Sequence, residues 1–169
     1  MIEIALCDDS AEDIETLRSL TEQFSAKHSE FPIRLRIFAS SEELSERLEA
    51  GGGFDLYILD VVMPKISGIR LAEIIRGKEE HSEIVFLTVS RDYAVDAFSV
   101  YAGGYLLKPP SKENFDGAVL RAVMKLAREK NEVLAVRTKE GLRKIQLHKI
   151  VMIESFNHMR EITLSDDSV

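Results

Sequence analysis

Through its first 130 residues the sequence switches five times between a short β-prone run and a segment of helical periodicity, and that alternation leaves few folds open. The runs are residues 1–7, 33–38, 55–60, 83–88 and 104–107. Strands alternating with helices build a parallel sheet covered on both faces, with right-handed crossovers. Runs one, three and four are continuously apolar, as strands buried on both sides must be. Residues 33–38 instead alternate apolar residues with arginine, which predicts one wetter face.

The helical segments carry their own punctuation. Ser10, with Asp13 three residues on, caps a first helix that shows Ile14, Leu17, Thr21 and Phe24 on one face. Ser40 and Glu43 make a capping box for a short helix with Leu44 and Leu48, ended by Gly51-Gly52-Gly53. That glycine run opens no helix and precedes no Gly-Lys-Ser/Thr, so it is a joint and not a phosphate loop. Ser67-Gly68 leads into a helix with Ile69, Ala72 and Ile75. Residues 92–101 predict a helix with Ala94, Ala97, Phe98 and Tyr101 on one side. Residues 112–130 predict a long amphipathic helix burying Phe115, Val119, Val123 and Leu126.

The polar residues that end the strands then become informative. Asp8 and Asp9 end the first run, Asp60 the third, Thr88 the fourth and Lys108 the fifth. In a parallel sheet these ends lie on one edge, where open α/β sheets bind their ligands. Three carboxylates so placed repel one another unless a cation enters, and a few oxygen ligands beside a phosphate site suit Mg²⁺ better than Zn²⁺. An Asp carboxylate is a nucleophile for phosphoryl groups, and Lys108 supplies a point charge for Asp60 and later for a phosphoryl oxygen. The Thr88 hydroxyl can donate to another.

Composition excludes several classes. Residues 1–132 hold 16 Lys/Arg against 24 Asp/Glu, which argues against sequence-independent DNA binding there; residues 133–169 hold 6 against 5. No apolar run approaches the ~20 residues of a membrane span, and no signal-peptide pattern opens the chain. The single cysteine, Cys7, rules out an intrachain disulfide and makes a reducing cytoplasm the expected setting. His28, His81, His148 and His158 show no metal-ligand spacing.

Taken together, Asp8-Asp9, Asp60 with Met63-Pro64 and Gly68, Thr88, and Tyr105 three residues before Lys108-Pro109 resemble the receiver domain of two-component response regulators. The resemblance covers residues 1–128 or so. It implies a flavodoxin-like (βα)5 domain over residues 1–130 with strand order 2-1-3-4-5, accepting a phosphoryl group from a sensor histidine kinase on Asp60. Asp8, Asp9 and Asp60, with the backbone carbonyl of Val62, would hold Mg²⁺. Thr88 and Tyr105 would form the switch, although the residues alone leave Tyr105 equally readable as a half-buried strand aromatic. The Lys108-Pro109 bond would be cis, and a homodimer through the fourth helix, fifth strand and fifth helix would follow activation. Such a protein is a phosphoacceptor and not an enzyme in the ordinary sense. A phosphatase using an aspartyl phosphate usually carries Asp-x-Asp, and Asp60-Val61-Val62 lacks the second acid. Val62 and Pro110 depart from common receiver patterns.

Beyond residue 131 the pattern changes to four short β-prone runs, 133–137, 142–147, 150–154 and 160–164, with no helix between them, which reads as a β-meander. Residues 139–141 read as a hairpin turn, and 147–149 and 156–158 as tight connections. Residues 136–141, 145–155 and Asn157-His158 resemble the first part of a LytTR-type DNA-binding domain, so residues 133–169 would be its truncated N-terminal portion. The resemblance implies a transcriptional output whose main DNA-contacting loops lie further on, so DNA binding by these residues is expected to be weak or absent. Lys139, Arg143, Lys144, His148 and Lys149 read first as a solvated hairpin face. The alternative is a receiver-type adaptor or phosphoryl sink that works by protein contacts alone.

Overall fold

The computed structural model describes residues 1–78, 81–138, 140–156 and 159–165, without the side chains of residues 131, 148 and 156. It divides into two compact units, Met1–Val123 and Met124–Val169.

The first unit is built on a five-stranded parallel sheet: β1 (Ile2–Cys7), β2 (Ile33–Phe38), β3 (Leu56–Asp60), β4 (Glu83–Thr88) and β5 (Gly104–Leu107), in the order β2-β1-β3-β4-β5. Its registers pair Ile2 with Ile33, Ile4 with Leu56, Leu56 with Glu83 and Val85 with Gly104. The expected fold class and strand order are therefore observed. Strands β3 and β4 are buried at every residue, while edge strand β2 alternates, as its arginines require.

Because side chains alternate across a strand, two layers form. Ala5, Cys7, Tyr57, Leu59, Ile84 and Phe86 face Leu44 and Leu48 of α2 (Ser41–Glu49) and Leu71, Ala72 and Ile75 of α3 (Gly68–Lys78), in one apolar cluster. The intervening Ile4, Leu6, Leu56, Ile58, Val85 and Leu87 are buried too. They point to the side carrying α1 (Ala11–Lys27) and α5 (Lys112–Asn131), whose Leu17, Phe24, Phe115, Val119 and Val123 are buried. Lys27 and His28 both reach Asp116 across that side, at 2.8 and 3.3 Å.

Caps follow the sequence. Ser10 Oγ accepts from the Asp13 amide at 3.2 Å and Ser40 Oγ from the Glu43 amide at 3.2 Å. Gly51, at φ +80°, takes the left-handed conformation that closes α2. Gly68 is needed for a different reason. A Cβ there would fall 1.9 Å from the Asp60 carbonyl oxygen, so α3 can begin hard against the end of β3 only because this residue has no side chain.

The fourth helix corrects an expectation. α4 spans only Ala94–Ser99, and its buried side is Ala97 (3% exposed) followed by Val100 (5%). Phe98 (84%) and Tyr101 (83%) point away from the core, with Val95 beside them. In a helix this short, a register of Ala94, Ala97 and Tyr101 is nearly degenerate with one of Ala97 and Val100. The packing surface decides between them, and Tyr101 turns out at φ +52° where the helix ends.

In the second unit β6 (Val133–Thr138) pairs antiparallel with β7 (Gly141–Gln146), and β8 (Ile150–Phe156) with β9 (Met159–Leu164). The expected meander is replaced by two separate two-stranded sheets. Residues Leu147–Lys149 form one turn of 3₁₀ helix, which turns the chain before β7 and β8 can pair. The assigned turns at 139–141 and 156–158 lie partly outside the described residues, as do Lys139 and Asn157-His158. Among the described residues, none beyond Leu126 is a buried hydrophobe.

Candidate functional site

The carboxyl edge of the sheet gathers the strand-end residues. Asp8 follows β1, Asp60 ends β3, Thr88 ends β4 and Lys108 follows β5 after Leu107. Asp8, Asp60 and Thr88 are buried, and Asp9 is exposed at the rim. The peptide Lys108-Pro109 is cis.

Lys108 is the centre of the arrangement. Its side chain is only 6% exposed, and Nζ lies 2.7 Å from Asp60 Oδ2, 2.9 Å from Asp13 Oδ2 and 2.7 Å from Asp8 Oδ2. The Asp60 and Asp13 contacts are hydrogen bonds donated by the ammonium. The Asp8 contact is an ion pair only, since buried Asp8 Oδ2 accepts no hydrogen bond among the described residues. Burial alone would lower the pKa of Lys108, but the hydrogen bonds it donates to Asp60 and Asp13, with the Asp8 carboxylate beside it, outweigh that and push the ammonium well above its ordinary range. It is a buried, charged group among the strand-end carboxylates.

Asp8 shows the opposite balance. Burial pushes its carboxyl above the ordinary carboxylate range, against the pull of Lys108 and of the Ser10 amide, which donates to Oδ1 at 3.0 Å. An ionised carboxylate held there shares the single Lys108 ammonium with Asp60 and Asp13. One oxygen from each of Asp8, Asp9 and Asp60 can lie within 4.8 Å of the others, and three hard oxygen donors of that kind fit a divalent cation such as Mg²⁺. The donor set and the underserved Asp8 oxygen both agree with that fit. Val62, whose carbonyl was expected among the ligands, shows a second link: its amide donates to Asp60 Oδ1 at 3.1 Å. Asp60 thus has one oxygen fixed by backbone and the other by Lys108.

Thr88 and Tyr105 are joined through one residue, Ser90. The Ser90 amide donates to Thr88 Oγ1 at 3.4 Å, and the Tyr105 hydroxyl donates to the Ser90 carbonyl at 2.7 Å. Tyr105 is partly buried and packs on Phe86 at 6.3 Å between ring centroids; burial raises its phenol pKa. Cys7, behind Asp8, has its thiol pushed up to about 12, first by burial and then by Asp8. It is an inert packing group in contact with Met63 Sδ at 3.7 Å.

Two participants escaped the sequence reading. Asp13 entered it only as a capping position, although it is a direct partner of Lys108. Ser90 had no motif at all; its place two residues after Thr88 was the available signal.

The sequence profile of the response regulator receiver domain matches residues 4–120. The transcriptional regulatory protein NatR of Bacillus subtilis is 23% identical over 170 residues, covering all of this chain and 70% of its own length. The sensory transduction protein LytR of Staphylococcus epidermidis is 36% identical over 94 residues, which is 54% of this chain and 37% of that protein. Among solved structures, the response regulatory domain of protein mrkE from Klebsiella pneumoniae superposes with a TM-score of 0.67 at 21% identity, over 75% of this chain and 99% of that one. At that identity the likeness speaks for the fold alone.

Proposed function

Because the chain belongs to the response regulator receiver domain family, we propose that Asp60 accepts a phosphoryl group from a sensor histidine kinase and that the event switches a transcriptional output. The observation that carries this reading is the buried Asp60 carboxylate held between the Val62 amide and the Lys108 ammonium. In the transfer, an Asp60 oxygen forms a bond to phosphorus as the phosphorus–nitrogen bond of a phosphohistidine breaks, and the imidazole nitrogen keeps the electron pair. Lys108 then meets a phosphoryl oxygen in place of the carboxylate. Asp8, Asp9 and Asp60 would hold Mg²⁺, with the Val62 carbonyl as a further ligand; when bound, the ion offsets negative charge on the transferring group.

The switch follows from the Thr88–Ser90–Tyr105 link. When the Thr88 hydroxyl turns to donate to a phosphoryl oxygen, the Ser90 amide loses its partner. Ser90, whose carbonyl holds the Tyr105 hydroxyl, is then free to move, and α4 with it. Val95 and Phe98 on α4, with Tyr101 just beyond its end, are exposed large apolar residues, which supports a homodimer, or a protein partner in the adaptor reading, docking there on activation. NatR's name as a transcriptional regulator, together with the β-hairpins after α5, supports residues 133–169 as the opening part of a LytTR-type DNA-binding module. Arg137, Arg143, Lys144, Lys149 and Arg160 line one concave surface of that unit.

Incubation with Mg²⁺ and a small acyl phosphate should add one phosphoryl group by mass, with Asp60→Asn giving none. Light scattering of the same samples should show the modified protein larger than the unmodified one. A mass gain that persists in Asp60→Asn would remove the assignment. A gain without self-association would favour the adaptor reading.

A further inference from the structure

One carboxylate at the site has no part in the scheme above. Asp13 is the third residue of α1, where an acidic side chain commonly folds back onto the amide of the capping residue. Here that amide, Ser10 N–H, already donates to Asp8 Oδ1 at 3.0 Å, while Ser10 Oγ caps Asp13's own amide. The Asp13 carboxylate is therefore free of capping duty. It accepts a hydrogen bond from Lys108 Nζ at 2.9 Å, from a residue 95 positions away. Its side chain is 35% exposed, so it engages the ammonium from the rim, whereas Asp8 and Asp60 engage it from inside. Asp13 also stands apart from the three carboxylates grouped closely enough to hold a cation.

We propose that Asp13 is a positioning residue for Lys108, holding the buried ammonium from its more exposed side and sharing its charge with whatever anion stands on Asp60. This rests on the phosphoacceptor reading of Asp60. Lys108 has three N–H groups and three carboxylates around them. When a divalent cation takes up oxygens of Asp8 and Asp60, Asp13 is the partner that Lys108 retains. A phosphoryl oxygen then shares the ammonium's charge with Asp13 and faces the negative charge of that carboxylate, so Asp13 weakens the hold on the phosphorylated form. In the absence of the anion its effect is opposite. By drawing Lys108 outward it lessens the ammonium's competition with the cation for Asp8 and Asp60.

The two effects have opposite signs, which makes them testable together. Asp13→Asn keeps the shape and removes the charge. At saturating Mg²⁺ it should bind beryllofluoride, a tetrahedral mimic of a phosphoryl group on a carboxylate, about threefold to tenfold more tightly than the natural sequence. Without beryllofluoride it should bind Mg²⁺ more weakly, by about twofold to fivefold. Asp13→Glu should return both affinities toward their original values, and Asp13→Ser, a good helix-start residue, should repeat the Asn pattern. Loosened packing would weaken both ligands at once, so parallel losses overturn the proposal, as does unchanged beryllofluoride affinity. If the natural sequence itself binds no beryllofluoride, or Asp60→Asn binds it equally well, it is the phosphoacceptor reading that fails. If those controls behave and Asp13→Asn matches the natural sequence, only the role of Asp13 fails.

Discussion

A buried ammonium with three carboxylates is a costly thing to fold, and the cost sits on particular residues. Lys108→Met would leave Asp8 and Asp60 buried without their cation, and breaking a buried pair from one side costs about 3–5 kcal/mol. Urea unfolding of the metal-free variant should show a loss of that order, and added Mg²⁺ should recover more stability in the variant than in the natural sequence. Asp8 gives a pH signature. Burial raises its folded-state pKa above the ordinary 3.8, so the folded protein holds that proton more tightly than the unfolded chain. Ionised Asp8 therefore subtracts stability at neutral pH, and the penalty lifts as pH falls through the folded pKa. Asp8→Asn should be the more stable form near pH 7 without metal, with an advantage that shrinks toward about pH 4; a constant difference across denaturation curves from pH 7 to 4 would contradict it. At this scale the sequence was a partial guide. Asp8, Asp60, Thr88 and Lys108 were legible because strand ends in a parallel sheet share an edge. Asp13 was hidden by ambiguity, since an acid in the first turn of a helix reads equally well as a cap.

Secondary-structure elements were legible where the pattern had room to repeat. The continuous apolar runs of β3 and β4, the arginine alternation in β2 and the long stripe of α5 each settle a burial pattern within their own length. α4 is six residues, fewer than two turns, and its stripe could not be phased from sequence. The result is a helix that buries its small Ala97 and shows its large Val95 and Phe98, with Tyr101 exposed just beyond its end. Such exposed residues contribute little to the fold they sit on. The double variant Phe98→Asp with Tyr101→Ser should change unfolding stability by no more than about 0.5 kcal/mol, as for surface substitutions elsewhere. The same variant should accept a phosphoryl group normally and lose self-association in light scattering. If it unfolds, or dimerises unchanged, α4 is not the contact surface.

At the scale of the whole molecule the two units differ in how they can be stable. All the strands that carry Asp8, Asp60, Thr88 and Lys108, and the apolar cluster behind them, lie within Met1–Val123. The second unit, Met124–Val169, consists beyond α5 of two two-stranded sheets without a buried hydrophobe past Leu126 among the described residues. Two-stranded sheets without a packed face are marginal in water, because backbone ordering is offset by little apolar burial. The change in charge near residue 133 and the loss of helical periodicity mark a boundary after α5 in the sequence, whereas the compact units divide within that helix, between Val123 and Met124. The separation of β7 from β8 is not marked there, because one turn of 3₁₀ helix at Leu147–Lys149 has no strong sequence signature. The contrast sets an exchange pattern. Amides of β1, β3 and β4 should exchange with solvent only on global unfolding, while those of β6 to β9 should exchange orders of magnitude faster, through local opening. Brief trypsin treatment should accordingly cut first at Arg137, Arg143, Lys144 or Arg160 and leave a fragment of residues 1–130 or slightly longer that still takes one phosphoryl group on Asp60. Equal protection across the two units, or a resistant fragment unable to accept the group, would mean that the hairpins take part in the stability or the chemistry of the sheet domain.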